Sequence, residues 1–144
     1  HVLVNAIDPT MPATLSPKMV NGVLRGELGY SGVVMTDSLY MQGIAVRYTL
    51  PQAGVLAVIA GDDLLEGAFD TNSMAQMIDA LKQAIGDGQI SVARIDQSVR
   101  RILALKIRFG MLPLRPASRP GGRVADAGGF PLVSDARRYG QAFA

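Results

Sequence analysis

The chain has 144 residues, of which 49% are hydrophobic and 18% are charged. This composition excludes a wholly disordered chain and suffices for one domain. Fourteen basic and twelve acidic residues give a net charge of +2, which is too balanced to predict a nucleic-acid partner. The absence of cysteine and the single histidine, His1, exclude disulfides, cysteine nucleophiles and multi-histidine metal sites. No apolar run approaches the ~20 residues of a membrane span. The sequence does not predict the cellular compartment of the protein.

The first part of the chain is predicted to contain a helix and a buried strand. Three prolines within residues 8–17 predict a loop. Its final Ser-Pro pair is typical of a helix start, so we expect a helix over 17–28 that ends at Gly29. The β-branched run 32–36 predicts a buried strand that ends at Asp37.

The second part of the chain repeats this alternation. An almost wholly apolar helix is predicted over 51–60, followed by a short buried strand over 62–65. Amphipathic spacing then predicts a helix over 72–85 and another that begins after Ser91 and ends near Gly110. Strands that alternate with helices predict parallel pairing and an α/β fold. Two strands are too few for a parallel sheet covered on both faces, so we expect the chain to be a fragment of a longer protein.

The composition changes after the last predicted helix. Proline, glycine and arginine become frequent and no periodicity is sustained. Residues 113–144 are therefore predicted to be a poorly ordered linker or tail, and residues 1–112 to be the folded part.

Acidic residues are the candidates for chemistry, because reactive groups of parallel βα folds collect where strands end. Asp37 follows the first predicted strand directly, and it is either a reactive carboxylate or a loop-ordering one. The acidic cluster around the second strand (Asp62, Asp63, Glu66) is compatible with a metal site. We favour the alternative that Gly61, Asp62 and Asp63 form a turn into the strand with solvated carboxylates, and we expect no metal and no organic cofactor.

Five segments, in this order, resemble the later part of the catalytic barrel of family 3 glycoside hydrolases. The resemblance is nearest to the bacterial β-N-acetylhexosaminidase branch. The segments are HVLVNAIDPT at 1–10, PATLSP at 12–17, LRGELGYSGVVMTDSLYM at 24–41, AGDDLL at 60–65 and RILALK at 101–106.

The resemblance implies the last three βα units of a (β/α)8 TIM barrel over residues 1–112. His1 would end the sixth strand, while 32–36 and 62–65 would be the seventh and eighth. It implies that Asp37 is the nucleophile of a retaining, double-displacement reaction. It also suggests His1 and Met41 as substrate-binding residues, although a histidine at this place could instead hydrogen-bond to a neighbouring loop.

The implied function is cleavage of terminal β-linked N-acetylglucosamine by an exo-acting hydrolase, with a carbohydrate as partner. In the related branches the acid/base group lies outside the part that this chain resembles, so we expect the chain alone to be inactive. The segment 38–41 favours the hexosaminidase branch, because β-glucosidases usually place tryptophan after the nucleophile. Ser38 departs from the commoner Asp-Asp pair. A β-glucosidase or β-xylosidase and a non-catalytic carbohydrate-binding protein are the alternatives.

Overall fold

The computed structural model describes residues 1–112, which are mainly helical. Its helical segments are a 3₁₀ turn Ala13–Leu15, a π-helix Lys18–Glu27, α1 Gln42–Ala45, α2 Leu50–Ala60, α3 Thr71–Gly86 and α4 Val92–Arg108. Residues 1–99 form one compact unit, which contains His1, Asp37 and Met41. The predicted tail, 113–144, lies outside the described residues. No helix between residues 1 and 112 combines the length and the apolar composition that a bilayer crossing requires.

The three longer α-helices confirm the predictions for 51–60, 72–85 and the segment after Ser91. Helix α2 begins with a capping box, in which Thr49 and Gln52 each bind the other's backbone N–H through a side chain. Helix α3 begins with the same arrangement between Asp70 and Ser73. These caps satisfy N–H groups that a helix start would otherwise leave unpaired.

The helix predicted over 17–28 forms with a wider turn than expected. Residues 18–27 are a π-helix, and the Leu28 N–H donates to the Val23 carbonyl five residues earlier at 2.9 Å. Gly29 follows with a φ of 68°, in the conformation expected of a helix-ending glycine. Over ten residues the apolar spacing predicts a helix, but it does not distinguish the α turn from the π turn.

The two predicted strands are reduced to a single parallel bridge between Met35 and Leu64. The segments 32–36 and 62–65 that this bridge joins are called the bridged segments, or together the bridged pair. The Leu64 N–H donates to the Val34 carbonyl at 3.1 Å, and the Thr36 N–H donates to the Leu64 carbonyl at 3.0 Å. The prediction of parallel pairing is therefore confirmed, whereas the prediction of regular strands over 32–36 and 62–65 is wrong for the described residues.

Side chains take the place of the backbone at both ends of this bridge. Continuation of the ladder would pair the Glu66 N–H with the Thr36 carbonyl, but it binds the Thr36 hydroxyl at 2.9 Å. In the other direction the Val34 N–H would bind the Asp62 carbonyl, but it binds Asp63 Oδ2 at 3.1 Å. The ladder is short because these two side chains outcompete backbone carbonyls.

The first residues of the chain also differ from expectation, because His1 lies in no strand among the described residues. Val4 forms an antiparallel bridge with Asp8 that closes a local turn. The Val2 carbonyl accepts a hydrogen bond from the Ala13 N–H at 2.8 Å. The backbone of this segment is thus occupied by the loop that follows it.

The core surrounds helix α2, whose sequence is apolar on every side, as in a buried helix. Its small residues Ala53 and Ala57 pack with Met77 of α3 and with side chains from the preceding part of the chain. Those side chains are Leu15 of the 3₁₀ turn, Leu39 of the loop after Asp37 and Ile44 of α1, each almost fully buried. A second cluster joins Val58 of α2, Ala84 of α3 and Ile90. Leu39 ties the loop after Asp37 into the core.

Gly67 lies where the residues after the two bridged segments approach each other closely. It has a φ of +130°, and a Cβ there would lie 2.9 Å from the Leu39 N. We expect Gly67→Ala to lower the free energy of unfolding by about 1–3 kcal/mol, because it combines backbone strain with a backbone clash. Gly86→Ala is the matched control, since a Cβ at this helical position meets nothing within 4 Å. Equal urea midpoints for the two variants would contradict the prediction.

Candidate active site

Asp37 lies directly after the bridged segment and is exposed. Its Oδ1 accepts a hydrogen bond of 2.7 Å from the N–H of Ser38. This contact orients the carboxylate while leaving it open to solvent. An oriented, exposed carboxylate at the carboxyl end of a parallel pair can act on a bound ligand as a base or a nucleophile.

The structure brings all three predicted site residues together around Ser38. The Ser38 carbonyl accepts hydrogen bonds from His1 Nε2 at 2.9 Å and from the Met41 N–H at 3.0 Å. His1 Nδ1 lies 2.8 Å from the Thr14 hydroxyl. The Met41 side chain is 43% exposed and lies at the start of α1. Both nitrogens of the His1 ring therefore have protein partners, and a sugar contact for His1 or Met41 stays a prediction.

Two aromatic side chains that were not predicted from the sequence follow the two bridged segments, at the end where Asp37 lies. Tyr40 and Phe69 stack with ring centroids 5.2 Å apart and an interplanar angle of 24°. They are 43% and 71% exposed. Tyr40 follows Asp37 by three residues and Phe69 comes soon after the second bridged segment, so parallel pairing could have indicated their proximity.

The loop of Asp37 is attached to the second bridged segment by two contacts. The Thr36 hydroxyl accepts from the Glu66 N–H, and the Glu66 carbonyl accepts from the Leu39 N–H at 3.0 Å. Thr36 and Leu39 are almost fully buried. The residues on either side of Asp37 and Ser38 are therefore fixed to the core.

Asp63 lies at the opposite end of the bridged pair and has a structural role. Its Oδ2 accepts from Arg25 of the π-helix at 2.7 Å, and its Oδ1 lies 3.3 Å from Arg94 of α4. The hydroxyl of Ser98 donates to the same Oδ1 at 2.7 Å. The Asp63 side chain is fully buried, so its charge is compensated inside the protein.

Asp62 is the neighbouring carboxylate and is 2% exposed. Its Oδ2 has no hydrogen-bond partner within the described residues. Burial, reinforced by the negative charge of Asp63, raises the pKa of Asp62 from the ordinary 3.8 to about 7, although Arg94 and Arg25 oppose the shift. Asp62 therefore binds a proton over much of the range below neutrality.

Asp8 is a third buried carboxylate, and it organises the proline-rich loop. Its Oδ2 accepts from the Ser16 hydroxyl at 2.6 Å, while its Oδ1 accepts from the N–H and hydroxyl of Thr10. The Ser16 hydrogen bond is the largest cause that lowers the pKa of Asp8 to about 2. This carboxylate is ionised and committed to the fold.

These carboxylates do not converge on a metal site. Among residues 1–112, no group of three or more histidine or acidic side chains is placed to hold a metal ion. The acidic cluster 62–66 is instead divided between two ends of the bridged pair, with Asp63 beside arginines and Glu66 exposed. The expectation of solvated carboxylates in a turn is wrong for Asp62 and Asp63, because both side chains are buried, whereas Glu66 is exposed.

Comparison with known proteins places the chain in a family. Residues 1–105 match the glycosyl hydrolase family 3 N terminal domain. The chain belongs to glycosyl hydrolase family 3. This match covers most of the described residues and includes every candidate site residue.

Relatives and solved structures agree with the family assignment. A family 3 β-N-acetylglucosaminidase from Paenibacillus sp. str. FPU-7 superposes with a TM-score of 0.72 at 40% identity, covering 85% of this chain and 24% of that chain. The β-N-acetylglucosaminidase/β-glucosidase of Cellulomonas fimi is 33% identical over 101 residues, 70% of this chain and 17% of its own length. The β-hexosaminidase of Alkalilimnicola ehrlichii is 46% identical over 65 residues, 45% and 18% respectively. This chain spans less than a quarter of each.

The raised pKa of Asp62 predicts a pH dependence of stability. Between about pH 4 and 7 the unfolded chain releases this proton while the folded protein keeps it, so the free energy of unfolding falls as pH rises. Asp62→Asn removes the ionisation. We expect its stability relative to wild type to increase by about 2–4 kcal/mol between pH 4 and pH 8.

Urea unfolding at several pH values measures this difference. Asp96→Asn, an exposed change on α4, is the control and should follow the wild-type dependence. A constant difference between wild type and Asp62→Asn across this pH range would contradict the prediction.

Proposed function

We propose that residues 1–112 are the last three βα units of a (β/α)8 barrel and that Asp37 is its catalytic nucleophile. The proposed reaction is the retaining, exo-acting hydrolysis of terminal β-linked N-acetylglucosamine. The main support is the placement of Asp37: an exposed, oriented carboxylate at the carboxyl end of a parallel pair, within a family 3 domain. Catalytic groups of such barrels occupy this end of the strands.

Three of the other acidic side chains are committed to the fold, which supports the choice of Asp37. Asp8 and Asp63 direct both carboxylate oxygens to hydrogen-bond donors inside the fold. Asp70 caps helix α3 and is bound to Ser73. Asp37 accepts a hydrogen bond from the adjacent backbone N–H and is exposed, so a sugar can reach it.

The proposed mechanism has two displacements at the anomeric carbon. A carboxylate oxygen of Asp37 forms a bond to that carbon while the glycosidic bond breaks and an acid protonates the leaving oxygen. Water, deprotonated by the same group, then attacks the anomeric carbon and releases Asp37. The Ser38 N–H orients the carboxylate during the approach.

The acid/base group in this proposal comes from outside residues 1–144. His1, the only histidine, directs both ring nitrogens to Thr14 and Ser38. We therefore assign the nucleophile to the described residues and the acid/base group to another part of the barrel. The small share of each relative that the chain spans agrees with this division.

The substrate class rests on the relatives and on the residues after Asp37. Several relatives are named β-hexosaminidases, and segment 38–41 resembles that branch. The Cellulomonas fimi relative is named both as a β-N-acetylglucosaminidase and as a β-glucosidase. A β-glucosidase is therefore the second candidate function. Turnover of p-nitrophenyl N-acetylglucosaminide against the corresponding glucoside distinguishes the two.

The test of the nucleophile uses a barrel in which residues 1–112 replace the corresponding segment of the Paenibacillus enzyme, hereafter the assembled barrel. Asp37→Asn should reduce turnover about a thousandfold or more, because the reaction loses its attacking charge while the shape of the site is kept. An activated fluorosugar should label Asp37, as read by peptide mass spectrometry.

Asp79→Asn is the matched control, because Asp79 is an exposed residue of α3 that pairs with Lys82 at the surface. It should leave turnover unchanged. Near-normal turnover of Asp37→Asn, or a label on another carboxylate, would exclude Asp37 as the nucleophile.

The division of the chemistry predicts that the 144-residue chain alone has no turnover. Without an acid, the glycosidic oxygen of an ordinary substrate leaves unprotonated, which removes at least a hundredfold of rate. The assay compares the chain with the assembled barrel at equal concentration. Comparable turnover from the chain alone would show that the acid/base group lies within it.

A further inference from the structure

The side chain of His1 connects the proline-rich loop to the loop of Asp37. Its Nε2 lies 2.9 Å from the Ser38 carbonyl, which can only accept a hydrogen bond, so Nε2 must carry a proton. Its Nδ1 lies 2.8 Å from the Thr14 hydroxyl, which can donate to it. The two contacts determine the tautomer of the neutral ring, with the proton on Nε2.

Ser38 is held on both sides of its α-carbon. Its N–H donates to Asp37 Oδ1 at 2.7 Å, and its carbonyl accepts from His1 and from the Met41 N–H. A shift of this residue therefore moves the donor that orients the Asp37 carboxylate. His1 is the member of this chain of contacts that comes from a distant part of the sequence, 37 residues away.

The surroundings of His1 limit the movement of this residue. A Cβ at Gly43 would lie 3.2 Å from His1 Cβ and from its carbonyl oxygen, so the α1 backbone lies close to that of His1. The residue is half-buried, and both nitrogens of its ring have hydrogen-bond partners, Thr14 and Ser38. A ring with both nitrogens bound can hold two loops in a fixed relation.

We propose that His1 is a positioning residue, which fixes the orientation of the Asp37 carboxylate through the Ser38 carbonyl and does not bind the sugar. The effect on turnover rests on the proposed function, whereas the hydrogen-bond arrangement does not. Misplacement of an attacking group by about 1 Å can cost a hundredfold in rate, so the contact matters to kcat more than to KM.

Two substitutions separate the two ring nitrogens. The amide nitrogen of His1→Gln can occupy the place of Nε2 and donate to Ser38. That of His1→Asn reaches only as far as Nδ1 and contacts Thr14. In the assembled barrel, we expect His1→Asn to lower kcat about 10- to 100-fold with KM changed less than about threefold. His1→Gln should retain kcat within about threefold.

The pattern of results distinguishes the possible roles. A raised KM with unchanged kcat in both variants would show sugar binding and overturn the proposal. Equal losses in the Gln and Asn variants, in parallel with lower melting temperatures, would show a merely structural role and also overturn it. Failure of Asp37→Asn to reduce turnover would contradict the proposed function instead.

A second measurement on the 144-residue chain tests the contact without any activity. Nitrogen-15 NMR of the imidazole should show a protonated Nε2 and a bare Nδ1 above neutral pH. The carbonyl carbon resonance of Ser38 should be retained in His1→Gln and displaced in His1→Asn. A ring protonated on Nδ1, or a Ser38 resonance unmoved in His1→Asn, would overturn the proposal.

Discussion

The buried carboxylate of Asp63 joins the π-helix and α4 to both segments of the parallel bridge. It binds Arg25 from the π-helix, Arg94 from α4 and the backbone of Val34. The same arginines bind the carbonyls of Gly61 and Asp62. A buried charge is costly unless it is surrounded by such donors, so the two helices and both bridged segments must meet at this point. Because these contacts fix the two bridged segments relative to each other, they also position the opposite end of the pair, where Asp37 lies.

The sequence predicted the helices well because their signals are local. Capping residues, apolar spacing and terminal glycines lie within a few positions of the helices they define, and α2 and α3 match the predictions within about one residue. The strands were predicted less well. Their pairing depends on which acceptor binds each backbone N–H. At the two ends of the bridge these acceptors are the side chains of Thr36 and Asp63 and not backbone carbonyls. Apolar runs of four or five residues carry no information about that competition.

The candidate site shows the same division. Asp37 could be placed at the end of a parallel segment from the sequence, and the role proposed for it comes from the family resemblance. The convergence of His1 and Met41 on the Ser38 carbonyl required coordinates, because it depends on where a distant loop returns. The stacking of Tyr40 on Phe69 was missed for a similar reason. Asp62 could not have been distinguished from Asp63 by composition, since only burial and hydrogen bonding separate them.

The sequence separation of these contacts has a consequence for the order of folding. Arg25 and Asp63 are 38 residues apart, and Thr36 and Glu66 are 30 apart. Closing such loops costs chain entropy before any contact repays it. The contacts within α2 and α3, by contrast, span only a few residues. We therefore expect the helices to form first and the environment of Asp37 to be completed late, when the bridged segments are brought together across α2.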